Sequence, residues 1–120
     1  MKQREIKYRF WDVHDKRMVS WEEMQMNKGY IYDFVHGVIG NLVPLQYTGL
    51  KDKNGKEIYE GDAVKGKRCF GAVYFDVEQG MYGITDAGTW FDRLVREGIE
   101  IIGNVFENPE LLEPNKASDF

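Results

Sequence analysis

Gln46-Tyr47-Thr48-Gly49-Leu50-Lys51-Asp52-Lys53-Asn54-Gly55-Lys56-Glu57-Ile58-Tyr59-Glu60-Gly61-Asp62 is the stretch that decides the architecture. It reads as an extended segment, a tight turn and the start of a second strand. Asn54-Gly55 is the strongest short-range hairpin signal, because both residues tolerate the positive φ angles of a type I′ turn. Gly61-Asp62 punctuates again before Ala63-Val64. Glycine there accepts a φ that other residues resist, and aspartate can bond nearby backbone N–H groups.

Outward from this hairpin, the same signals recur. Ile6, Tyr8 and Phe10 alternate with Lys7, Arg9 and Trp11, the period-2 pattern of a half-buried strand. After the polar interval 12–17, Met18-Val19-Ser20-Trp21 returns as a second arm. Residues 22–28 read as a loop or an irregular strand. Residues 30–45 are apolar but broken by Gly37, Gly40 and Pro44, so short strand pieces are expected rather than a helix. Further strands are expected at 63–65, 70–75, 81–85 and 99–106, with Asp76 to Gly80 as a turn. Thr89 to Arg96 suits one or two helical turns, with Trp90, Leu94 and Phe91 on one face. Asn108 before Pro109 is a short helix start, with Asn as cap and Pro in the first position.

Short strands with frequent turns predict a mainly β fold. The form expected is a small, strongly bent or partly open β-barrel with an N-terminal hairpin and short helical turns near the C-terminus. One domain over residues 1–114 and a frayed tail at 115–120 fit the length of 120 residues. A chain of this size buries roughly two-thirds of its unfolded surface, enough for a core without metal or disulfide. Aromatic content of 14%, with 13 glycines against 3 prolines, fits a turn-rich β protein.

The net charge of -4 lowers the expectation of duplex DNA binding, which rests on a concentrated basic face. The single cysteine, Cys69, forms no intrachain disulfide and fits a reducing compartment. Met1-Lys2-Gln3-Arg4-Glu5 leads into alternating residues with no signal-type apolar stretch. No apolar run approaches the roughly 20 residues that cross a bilayer. The expectation is a cytoplasmic protein without a membrane contact.

No catalytic, cofactor or metal residue stands out. His14 and His36 lack a partner at ligand spacing, and zinc needs at least three protein ligands. Cys69 follows Lys67-Arg68, which favours a thiolate, but it also adjoins Phe70, where a buried, inert thiol is the plainer reading. Asp76, Glu78, Asp86 and Asp92 are not spaced as a calcium loop. An enzyme working through converging carboxylates is the minority reading.

Aromatic and basic residues interleave near the N-terminus. Lys7, Arg9, Trp11, Lys16 and Arg17 are the candidate nucleic-acid contacts, since single-strand binders stack bases on aromatics while cations follow phosphates. The plainer reading makes Ile6, Tyr8 and Phe10 core and the cations a solvated face. Lys51, Lys53 and Lys56 flank the central turn and discourage edge pairing. Trp21, Met24, Met26, Tyr30 and Tyr32 concentrate in a stretch with weak strand and helix signals. Either it orders a homo-oligomer interface or it folds back as a loop.

The central stretch, Arg4-Glu5-Ile6-Lys7-Tyr8-Arg9-Phe10-Trp11-Asp12 and Ile102-Gly103-Asn104-Val105-Phe106-Glu107-Asn108-Pro109-Glu110-Leu111-Leu112 together closely resemble the YopX family of small phage and prophage proteins. The resemblance implies a mainly β protein acting inside a bacterial host. Its most characteristic positions are Tyr47, Thr48, Gly49, Asp52, Gly55, Gly61, Asp62, Gly103, Asn104, Glu107 and Asn108. These look like framework. Residues 65–99 match no recognisable pattern, so specificity is expected there. The function expected is a non-enzymatic binding module, with a single-stranded nucleic-acid binder as the alternative. Its partner would be a host or phage protein, a second copy, or single-stranded nucleic acid.

Overall fold

The computed structural model describes residues 5–29 and 41–112. Among them eight strands form two four-stranded sheets, ordered β2-β1-β3-β4 and β7-β6-β5-β8, and one sheet is a curled half-barrel. The strands are β1 (Tyr8–Asp12), β2 (Arg17–Val19), β3 (Leu42–Lys51), β4 (Glu57–Tyr59), β5 (Asp62–Lys65), β6 (Phe70–Asp76), β7 (Met81–Ile84) and β8 (Glu100–Asn104). Two helices, α1 (Trp21–Met26) and α2 (Phe91–Gly98), and a 3-10 turn at Pro109–Leu112 complete the described elements. The mainly β, partly open architecture is the one the hairpin signals predict. The chain divides into two compact units, Met1–Tyr47 and Thr48–Phe120.

In the first unit, β1 pairs antiparallel with β2 (Phe10 opposite Val19, Asp12 opposite Arg17) and with β3 (Tyr8 opposite Gln46, Trp11 opposite Val43). Phe10, Val19, Met24 and Leu42 close a small core, with Tyr8 and Trp21 packed against it. Ile6, expected on the core face, is instead 57% exposed, since it lies before the first paired residue of β1. β3 runs unbroken through Pro44. The shorter strand pieces, Tyr30, Tyr32 and His36 expected within 30–40, and the tail at 115–120, lie outside the described residues.

The interval read as a loop or irregular strand holds helix α1. Ser20 Oγ accepts a hydrogen bond from the Glu23 backbone N–H at 3.1 Å. Glu22 and Glu23 sit in the first turn, where the helix dipole favours negative charge. Ser20-x-x-Glu23 is the sequence pattern of a capping box, and burial of Met24 supplies the packing that a six-residue helix cannot do without.

The second unit is built around Ile58, Val64, Val73, Ile84, Phe91, Leu94 and Ile99. β5 lies between β6 and β8, and β6 pairs with β7 through the hairpin of residues 77–80. The β5–β8 register shifts between Ala63 and Val64, leaving Ile102 as an extra residue on β8. Gly61, at φ +86, turns the chain from β4 into β5, as its position predicts. Phe91 and Leu94 anchor α2 on this core.

Candidate functional site

The central turn is organised by one carboxylate. Asp52 is 6% exposed, and its Oδ1 accepts from the backbone N–H of Asn54 and of Lys56, each at 2.9 Å. Its Oδ2 accepts from the Ile101 N–H at 3.0 Å, tying the turn to β8. Burial opposes its ionisation, but the three backbone donors and Lys56 outweigh burial and hold the carboxyl below its ordinary range. Gly55, at φ +83, supplies a positive φ, but Asn54 does not share it, so the pair is not the expected type I′ turn. The Gly55 N–H instead closes a turn on the Asp52 carbonyl at 3.0 Å. Asp62 works the same way, accepting from the Tyr59 N–H at 2.8 Å. Asn104, opposite Asp62, accepts from the N–H groups of Phe106 and Glu107 at 3.0 and 2.8 Å and donates its amide to Glu107 at 3.0 Å.

The five sequence-predicted contacts are divided by the sheet. Lys7, Arg9 and Trp11 alternate onto one face, while Arg17, opposite Asp12, lies on the other with Phe10. Lys7 Nζ pairs with Glu5 at 2.6 Å and stands 5.1 Å from the centre of the Tyr47 ring. Arg9 and Trp11 are half-buried, on a face where Leu45 and Tyr47 are buried. Lys16 occupies the turn at φ +53. Arg17 forks onto Glu23 of α1, holding that carboxyl below its usual range. In the stretch read as an interface, Met24 is 2% exposed in the core and Met26 87% exposed.

The other reactive groups are also placed. Asp76 Oδ1 accepts from the Glu78 and Gln79 N–H groups, capping the β6–β7 turn. Asp92 pairs with Arg96 at 3.5 Å. His14 is exposed, its pKa raised by the hydrogen bond to Asp15. Burial, and then the charge of Glu97, push the Cys69 thiol up. Among the described residues no three His, Cys, Asp or Glu side chains gather as a metal site. Among them, too, no helix is long and apolar enough to cross a membrane.

Among the described residues, an open surface of aromatic and basic side chains lies in the second unit. Trp90, expected on the apolar face of a helix, precedes α2 and is 67% exposed, while Phe91 and Leu94 turn inward. A concavity of about 210 Å³ is lined by Arg68, Ala87, Trp90, Arg93 and Leu94. A wider one, of about 570 Å³, is lined by Trp90, Asp92, Arg93, Arg96 and Glu97. Arg68 forks onto Glu97, which also lies 3.6 Å from Arg93. Arg68 and Glu97 are 29 residues apart, so the sequence carries no local sign that they meet. The basic run Lys65-Gly66-Lys67-Arg68 and the Trp90–Arg93–Arg96 spacing are the signals that together point here.

The YopX protein family matches residues 7–113. The chain belongs to the YopX family. A crystal structure of protein EF1440 from Enterococcus faecalis resembles this YopX chain with a TM-score of 0.62, covering 92% of this chain and 100% of that one at 24% identity. At that identity the likeness speaks to the fold alone. No curated protein matches. Asp52, Asp62, Asn104, Glu107 and Asn108, expected from the resemblance to be framework, all hold backbone or turn hydrogen bonds.

Proposed function

We propose that this YopX protein is a non-enzymatic binding module, encoded by a phage or prophage and working in the cytoplasm of the bacterial host. It presents the solvent face of α2 and the loop at residues 66–69 to a partner. Trp90 carries the reading: an indole 67% exposed, lining concavities with Arg68, Arg93 and Arg96. Exposed aromatics beside arginines are the side chains that dominate binding energy when a partner desolvates them. The carboxylates of Asp52, Asp62 and Asp76 are engaged in holding turns, which supports binding over chemistry. The surface lies within residues 65–99, where the sequence reading expects specificity, although the family match at 7–113 runs through that segment.

The test is affinity capture from bacterial lysate with the wild type and Trp90→Ala, each with and without nuclease. The expected result is a retained species that the variant loses. Identical capture by both proteins would remove the α2 face from consideration.

A further inference from the structure

We infer that the α2 face takes single-stranded nucleic acid, with Trp90 as a stacking platform and Arg68, Arg93 and Arg96 on the phosphates. This rests on the binding-module reading and names its partner class. Every base offers a π-face, so one exposed indole serves any sequence, and guanidinium groups beside it follow the backbone.

Three features favour this occupant. First, Trp90 is largely exposed and lines two open concavities, so a flat ring has room against the indole. Second, arginines share these linings with it. Arg68 lines the smaller concavity, Arg96 the wider one, and Arg93 borders both. Third, the backbone that carries the indole is fixed. The Trp90 carbonyl accepts the Leu94 N–H at 3.0 Å, and Thr89 Oγ1 donates to Gln79 at 3.2 Å.

The charge balance fits. Arg68 and Arg93 share the single carboxylate of Glu97, Arg96 faces Asp92 at 3.5 Å, and the exposed Lys67 adjoins Arg68. The surface therefore carries a positive excess within a chain of net charge -4. These ion pairs are exposed, contribute little to stability and exchange readily for phosphate. A duplex hides its base faces and offers nothing to a protruding indole. An acidic peptide would meet the arginines but supply no succession of flat rings to the concavities.

The experiment is fluorescence anisotropy on the full chain. The probes are a labelled single strand of about twelve nucleotides, the duplex of the same sequence and a glutamate-rich peptide. Salt is set at about 50 and about 200 mM. Contacts to three phosphates predict that log K falls by about 2 per tenfold rise in salt. Trp90→Ala should weaken single-strand binding about tenfold, and Trp90→Phe should recover most of it. Duplex bound as tightly as single strand, or Trp90→Ala binding like the wild type, overturns the inference. If only the peptide binds, and does so through Trp90, the nucleic-acid assignment falls while the binding face stands. If no probe and no lysate partner depends on Trp90, both fall.

Discussion

The carboxylate of Asp52 accepts the backbone N–H of Ile101 at 3.0 Å across 49 residues of sequence. The other oxygen of the same group closes the Asn54-Gly55 turn. One side chain therefore fixes a local hairpin and its docking onto β8. Lys53 reinforces the junction, donating its N–H to the Ile99 carbonyl at 3.0 Å.

Asp52→Ala leaves three backbone donors without their acceptor. Buried donors stripped of a partner cost more than a hydrogen bond is worth net, so the expected loss is about 2–4 kcal/mol. Urea unfolding measures it. A loss below about 0.5 kcal/mol would mean water replaces the carboxylate at no cost.

Asp52 also predicts an acid-sensitive limb. Its folded pKa lies below the ordinary 3.8, so the unfolded chain binds the proton more readily. The stabilisation is complete above the unfolded value and is lost as the pH falls through the lower folded value. Melting temperature followed from about pH 6 to about pH 2 should drop more steeply in wild type than in Asp52→Ala. Parallel curves would refute the assignment.

Gly61 sits at φ +86, with its N–H donated to Val73 at 2.9 Å and its carbonyl accepting from Val105 at 2.8 Å. Its conformation is held from both sides and cannot relax to suit a side chain. Gly61→Val should cost about 1–3 kcal/mol by thermal unfolding. An unchanged melting temperature would show that the turn tolerates a β-branched residue.

Met24 and Met26 separate a core role from a surface one within α1. Met24→Ala, at a site 2% exposed, should destabilise by about 2–4 kcal/mol. Met26→Ala, at 87% exposure, should stay within about 0.5 kcal/mol. Equal effects in chemical denaturation would place Met26 under a cover of its own, such as a second copy.

What the sequence made legible was local. Gly55 and Gly61 announce their turns because tolerance of a positive φ is a property of the residue itself, whereas the type I′ geometry read from Asn54-Gly55 is not adopted, since Asn54 has no positive φ. The β6–β7 hairpin shows in the apolar run before Asp76 and the turn residues after it. Helix α1 was also written locally, in Ser20-x-x-Glu23, but its polar composition and two methionines masked a helix that only burial of Met24 sustains. The site is another matter. Arg68 joins Trp90 and Arg93 because β5 and α2 fold onto the same core, and no spacing in the sequence encodes that meeting. The N-terminal cations looked like a stripe because alternation shows a face but not what covers it. Arg17 falls on the opposite side from Trp11 once the hairpin register is set.

Cys69 offers a prediction of reactivity that also probes the neighbourhood of α2. Burial, and then the negative charge of Glu97, raise its pKa above the ordinary 9.0, so the thiolate is scarce at neutral pH. Alkylation of the native protein should be slower than that of the urea-unfolded chain at the same pH. Glu97→Gln removes the charge and frees Arg68, and both changes favour the thiolate. The variant should therefore react faster, with its pH–rate profile displaced toward lower pH. A faster rate without that displacement would trace the effect to improved access instead. A native rate equal to the unfolded one would show that neither burial nor Glu97 restrains the thiol.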